Sequence, residues 1–263
     1  MTAISVAGAR ATDVTNHLFE YLLRLADDRL VLGHRVSEWC GHGPILEEDI
    51  ALSNIALDLI GQASALLKLA GELEGQGRDE DALAYLRDET GFRNAQLAEL
   101  PPGDFGFTIA RQFLFDAASV LRLDALTRCA HPVLAALAAK SLKEDKYHLR
   151  HSSDWMLKLG DGTEESHRRV QRALDELWRF TGELFEYDAV DAAVAARGIV
   201  VDHDALRAQW HDIVSDVVHR ATLTLPADAA MATGGRRGRH TEFLGHMLSE
   251  MQIVARSHPG AKW

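Results

Sequence analysis

Residues 16–40 read NHLFEYLLRLADDRLVLGHRVSEWC. Apolar side chains fall at Leu18, Leu22, Leu25, Leu32, Val36 and Trp39, three or four apart or at multiples of that spacing, which is the period of one helix face. The stretch therefore reads as a helix of about six turns. The cluster Gly41-His42-Gly43-Pro44 breaks it, because glycine and proline punctuate regular structure. A second apolar stripe follows at Leu52, Ile55, Leu59, Ala63, Leu66, Ala70 and Leu73, and Gly75-Gln76-Gly77 ends it.

The pattern continues along the chain. After a shorter helical piece around Asp81 to Asp88, the break Pro101-Pro102-Gly103 introduces a third long helix, striped by Ile109, Phe113, Val120 and Leu123. A fourth runs from about Pro132 to Leu159, with proline suited to the first turn and Gly160-Asp161-Gly162 as the stop. Thr163 can cap a helix carrying Val170, Leu174, Leu177, Thr181 and Phe185, Asp202 can cap another reaching about Thr222, and a last helix begins near Thr241. The run Gly198-Ile199-Val200-Val201 reads as a connector. The predicted fold is all-α: one domain over 1–263, with a loose tail at 1–12, an antiparallel four-helix bundle at 13–160 and accessory helices at 161–263.

Composition narrows the function classes. The 263 residues are 47% hydrophobic, enough for a core, and the net charge of -11 argues against nucleic acid, whose binders concentrate positive charge. Two cysteines, Cys40 and Cys129, make neither a disulfide framework nor a CxxC metal site, and a reducing cytoplasm suits them. No basic start followed by an apolar run marks a leader, and no stretch reaches the roughly 18 uncharged apolar residues of a membrane span. A soluble, cytoplasmic protein is expected.

The anomaly lies inside the stripes. Asp116 stands between Phe113 and Val120, Asp58 beside Ile55 and Leu59, and Glu144, Asp145 and His148 interrupt the fourth helix. An unpaired buried carboxylate costs several kcal/mol, so these groups must meet a metal, a cation or hydrogen-bond donors. In di-iron carboxylate bundles two helices each give a Glu and two others each give Glu-x-x-His, whose spacing sets both ligands on one face. Here Asp58 would need histidine at position 61 and finds Gly61, with Gln62 next. Glu144 is followed three residues later by Tyr147, so only a shifted pair, Asp145 with His148, remains. Glu164 with His167 and Asp216 with His219 repeat the spacing, but thirteen histidines make chance matches expected.

The plain alternative is that Asp58, Asp116 and Glu144 are neutralised by Arg35, Arg111 or Lys143, arginine's planar fork being suited to holding carboxylates. These four residues, Asp58, Asp116, Glu144 and His148, then mark a vestigial centre without metal. His34 and Glu38, one turn apart, are ligands, an acid–base pair or, more simply, a solvated helix face. Trp39, Trp155, Trp178 and Trp210 read as core or interface anchors. The segment Thr233-Gly234-Gly235-Arg236-Arg237-Gly238-Arg239-His240 precedes a helix, where it either cradles an anion or docks the last helix.

The chain resembles the PaaC-type (C) subunits of the ring 1,2-phenylacetyl-CoA epoxidase. The segments that carry this are Glu38-Trp39-Cys40-Gly41-His42, residues 54–63 (NIALDLIGQA), Ile109-Ala110-Arg111-Gln112-Phe113, Lys143-Glu144 with Tyr147-His148-Leu149-Arg150, Leu177-Trp178-Arg179-Phe180-Thr181, and Thr233-Gly234-Gly235 through His240-Thr241-Glu242. The resemblance implies a ferritin-like fold and a non-catalytic subunit that stabilises a homologous, di-iron catalytic A subunit, paired as a heterodimer or a dimer of heterodimers. It also implies a multicomponent monooxygenase of aerobic phenylacetate breakdown, in which a reductase component bears flavin and an iron–sulfur cluster and this chain carries no cofactor. No catalytic or cofactor-binding residue is assigned. Two rival readings stand beside it: a di-metal carboxylate oxygenase in its own right, and a helical adaptor of another CoA-linked oxygenase.

Overall fold

The computed structural model describes residues 3–227 and 230–261, the side chains of residues 3–15 excepted. Among these residues there are ten α-helices and no strand. Four long ones make the bundle: α1 (Ala3–Ser37), α2 (Leu46–Glu74), α5 (Phe105–Leu126) and α6 (Pro132–Gly160). Short α3 (Glu80–Tyr85) and α4 (Gln96–Glu99) lie in the connection between the two halves. The backbone of α1 starts at Ala3, so the helix takes in most of the segment expected as a loose tail.

α1 pairs with α2 and α5 with α6. Both pairs are antiparallel: Arg29 meets Gln62, and Gly33 meets Leu59 and Ala56, while Ser119 meets Asp145 and Asp116 meets Ser152. A Cβ on Gly33 would come within 3.0 Å of Ile60, so glycine is what lets α1 and α2 approach. Leu22, Leu32, Leu52, Leu59, Phe113 and Leu114 are fully or almost fully enclosed, each worth about 1.5–3 kcal/mol of apolar burial. By length and composition α2 also passes for a membrane-crossing helix, but Asp58 interrupts its apolar run, so the uncharged stretch of a span is not reached, and 44% of its apolar window is buried inside the chain.

The predicted caps form. Thr163 Oγ1 accepts from Ser166 N at 3.1 Å, Asp202 Oδ1 from Ala205 N at 3.0 Å, and Pro132 occupies the first turn of α6. α7 (Glu164–Leu177) ends earlier than its stripe suggested, because residues Trp178–Phe180 and Gly182–Phe185 tighten into 3-10 turns. A helix not foreseen, α8 (Ala189–Ala195), is capped by Asp188, whose carboxylate accepts from Val190 N at 2.8 Å. α9 (His203–Arg220) and α7 pack on α5 and α6, α8 packs on α1, and α10 (Glu242–Ser257) packs on α3. Residues 198–201 form the expected connector, with Ile199 and Val201 buried.

Candidate functional site

The interior of the bundle is polar at its middle. Arg29 of α1 is enclosed, and its guanidinium donates through Nε to Gln62 Oε1 at 2.8 Å and through Nη2 to Ser119 Oγ at 3.0 Å. Ser119 in turn donates to Asp145 Oδ2 at 2.5 Å, and Gln62 Nε2 donates to Asp145 Oδ1 and Glu144 Oε2, each at 2.9 Å. Arg29 Nη2 itself stands 4.0 Å from Asp145 Oδ2. One side chain from each bundle helix thus closes a ring around a single cation and a single enclosed carboxylate. Each charge taken from water costs several kcal/mol, and the pairing with a complete set of hydrogen bonds is what offsets it.

One turn along lies a second polar layer. His148 is fully buried, its Nε2 3.1 Å from Asp58 Oδ2 and its Nδ1 3.8 Å from Asp145 Oδ1. Asp116 accepts from Ser152 Oγ at 2.9 Å. Burial first, and then the Asp145 charge, push the Asp116 carboxyl well above the usual carboxylate range. Asp116 therefore keeps its proton to higher pH than an ordinary carboxyl. Near the solvent edge, Glu48 and His151 add a further α2–α6 contact at 2.8 Å.

Asp58, Asp116, Glu144 and His148 do come to one region, as their spacing suggested, but not as a ligand set. Glu144 and Asp58 sit at the rim, and the inward-facing pair is the shifted one, Asp145 with His148. Among the described residues no group of three or more His, Cys, Asp or Glu side chains is placed to hold a metal ion. The donors do not fit a di-iron cluster: a permanently charged guanidinium stands among them, and the position of α2 that reaches the centre carries the Gln62 amide, while Gly61, where the sequence spacing asked for a histidine, lies on the exposed side of the helix.

The expected neutralisers are corrected by the geometry. Arg35 is held by Glu38 at 2.7 Å and by the carbonyls of Glu99 and Phe243, Arg111 by the carbonyls of Leu100 and Pro101, and Lys143 is exposed. The cation is Arg29. A signal for it was present, since the first stripe leaves a gap between Leu25 and Leu32 that position 29 fills on the same face. Ser119 and Ser152 carried no such mark. His34 does not couple to Glu38, and burial lowers its pKa.

The basic segment docks the last helix. Arg236 is buried and clasps Asp28 through Nη1 at 2.8 Å and Nη2 at 2.9 Å, while Gly235 N donates to Glu183 Oε1 at 2.7 Å. His240 Nδ1 lies 2.9 Å from Glu99 Oε2, and Thr241 N donates to Glu99 Oε1 at 2.6 Å. Internal carboxylates hold the positions an external anion would take. The remaining His spacings are also structural: His167 meets the Gly160 carbonyl at 2.7 Å, and Asp216 pairs with Arg220 at 3.0 Å. The tryptophans pack as anchors, with Phe105 set edge-on between Trp39 and Trp155, and Trp178 stacked at a tilt on Trp210.

An all-helical bundle of two antiparallel pairs, with polar groups at the level where carboxylate bundles keep their metals, defines a ferritin-like protein. The chain belongs to the phenylacetic acid catabolic protein family (PaaA_PaaC), whose model matches residues 1–263. It is 50% identical over 248 residues to the C subunit of the 1,2-phenylacetyl-CoA epoxidase of Escherichia coli (strain K12), a match that covers 94% of this chain and 100% of that protein.

Proposed function

We propose that this chain is the C subunit of a 1,2-phenylacetyl-CoA epoxidase in phenylacetate breakdown, a cytoplasmic scaffold that pairs with a homologous di-iron A subunit and performs no chemistry itself. The similarity to an epoxidase C subunit along the full length of that protein supports the assignment. The observation that carries the structural role is Arg29, whose guanidinium occupies the middle of the bundle and neutralises Asp145 where a catalytic homologue would use metal. Oxygen chemistry, in this reading, resides in the A subunit, with electrons supplied by a reductase carrying flavin and an iron–sulfur cluster.

A scaffold of this kind works by covering an apolar helical surface of its partner and so fixing the ligand-bearing helices, which must hold their positions to about half an ångström. The test is to express the A subunit alone and together with this chain, then measure solubility, phenylacetyl-CoA turnover and iron per chain. The expected result is an A subunit that is insoluble or inactive alone, and active and iron-loaded in the complex. Full activity of the lone A subunit, or two irons per copy of this chain after purification, would overturn the proposal.

A further inference from the structure

α2 exposes a largely apolar side, interrupted by Asn54, that nothing among the described residues covers. Leu46, Ile50 and Leu57 are 71%, 53% and 67% exposed, and their spacing sets them along one side of the helix over about 17 Å. Gly61 continues the same side one turn on, and a Cβ added there would meet nothing within 4 Å, so no internal close approach accounts for the glycine. Isolated exposed leucines are ordinary, whereas an aligned set on a long helix marks a contact surface.

The neighbouring ridge has the opposite chemistry. α6 sets Lys140, Lys143, Tyr147 and Arg150 along its exposed side, in a chain whose net charge is -11. Lys143 has no ion-pair partner among the described residues, and the nearest acids to Lys140 and Arg150, Glu144 and Asp154, are each 3.9 Å away. Contacts of His148 with Asp58, His151 with Glu48 and Gln62 with Glu144 fix the two ridges side by side.

We infer that this two-ridged face, apolar along α2 and basic along α6, is the docking surface for a helix of the catalytic A subunit whose apolar stripe is edged by carboxylates. The inference rests on the structural-subunit reading above. The apolar ridge supplies burial, and the basic ridge selects a partner of the opposite sign and speeds encounter, which makes the association salt-dependent. Tyr147, 58% exposed on the α6 ridge, supplies an aromatic anchor of the kind that dominates such contacts.

The test is binding of the purified full-length chain to the A subunit at several salt concentrations, for the wild type, Leu57→Glu, the double variant Lys143→Glu/Arg150→Glu, and Val200→Glu as an exposed control elsewhere. Helix content and thermal midpoint verify that each variant folds. Leu57→Glu is expected to weaken binding at least tenfold, the double variant to weaken it and flatten its salt dependence, and Val200→Glu to leave it unchanged. Wild-type binding by the first two variants would overturn this surface while leaving the subunit assignment standing. A wild-type chain that does not bind the A subunit at all would sink both, and self-association abolished by Leu57→Glu would assign the face to a second copy instead.

Discussion

Arg29 and Asp145, 116 residues apart in sequence, face each other 4.0 Å apart across the bundle, and Ser119 and Gln62 each hydrogen-bond to both. The coupling runs through the intervening donors as much as through the charges. Arg29→Met would strand an enclosed carboxylate, and the expected loss is about 3–5 kcal/mol in urea unfolding. Arg29→Met/Asp145→Asn, which removes both charges, should recover a large part of that loss. Strictly additive losses in the cycle would mean that the two residues do not interact.

Asp116 gives the protein an unusual pH response. Its carboxyl is raised in the folded chain, so between the unfolded value of about 3.9 and its raised native value the folded state holds the extra proton. Stability from this group therefore declines as pH rises through that window, opposite to the behaviour of a salt-bridged aspartate. Asp116→Asn should flatten the dependence and leave the variant more stable than wild type at pH 8 relative to pH 5. Parallel pH profiles for the two proteins would refute this.

His240 responds with the reverse chemistry and the same sign. Burial opposes its charge, but the hydrogen bond and charge of Glu99 outweigh it and hold the imidazole above its ordinary value. Such a raised histidine contributes fully below the unfolded value of about 6.5 and loses its contribution as pH rises through the native one. Thermal melts of wild type and His240→Gln should differ most at pH 6 and converge by pH 9.

Gly160 closes α6 against the start of the chain segment that leaves α9. A Cβ there would stand 2.2 Å from the Ala221 carbonyl oxygen, and the Gly160 carbonyl already accepts from Thr222 Oγ1 at 3.2 Å. Gly160→Ala should therefore cost about 1–3 kcal/mol despite alanine's better helix propensity, the clash outweighing the gain. An unchanged or raised thermal midpoint would show that the junction yields freely.

The helices were legible in the sequence because each long one must keep a 3.6-residue apolar period, and Thr163, Asp202 and Pro132 announced their boundaries through local hydrogen bonding that needs no tertiary context. α8 escaped notice: seven residues are too few for a stripe, although Asp188 with Asp191 three residues later is a capping pattern. The centre was half legible. Its acids stood out against the stripes, but their partners are fixed by helix rotation and by contacts between segments far apart in sequence. Asp27-Asp28-Arg29 looks like an ordinary solvated charge run, yet Asp27 binds Arg87, Asp28 binds Arg236 and Arg29 reaches Ser119. Nothing local distinguishes such a run from a surface one.

A keystone that is part of the polypeptide cannot be chelated, oxidised or diluted away. The charge balance at the heart of this bundle is settled as soon as Arg29 has been translated and enclosed, whatever the cell's supply of iron or its oxidant load. Starvation for metal should then leave this fold intact and waiting, with its thermal midpoint unmoved by chelators.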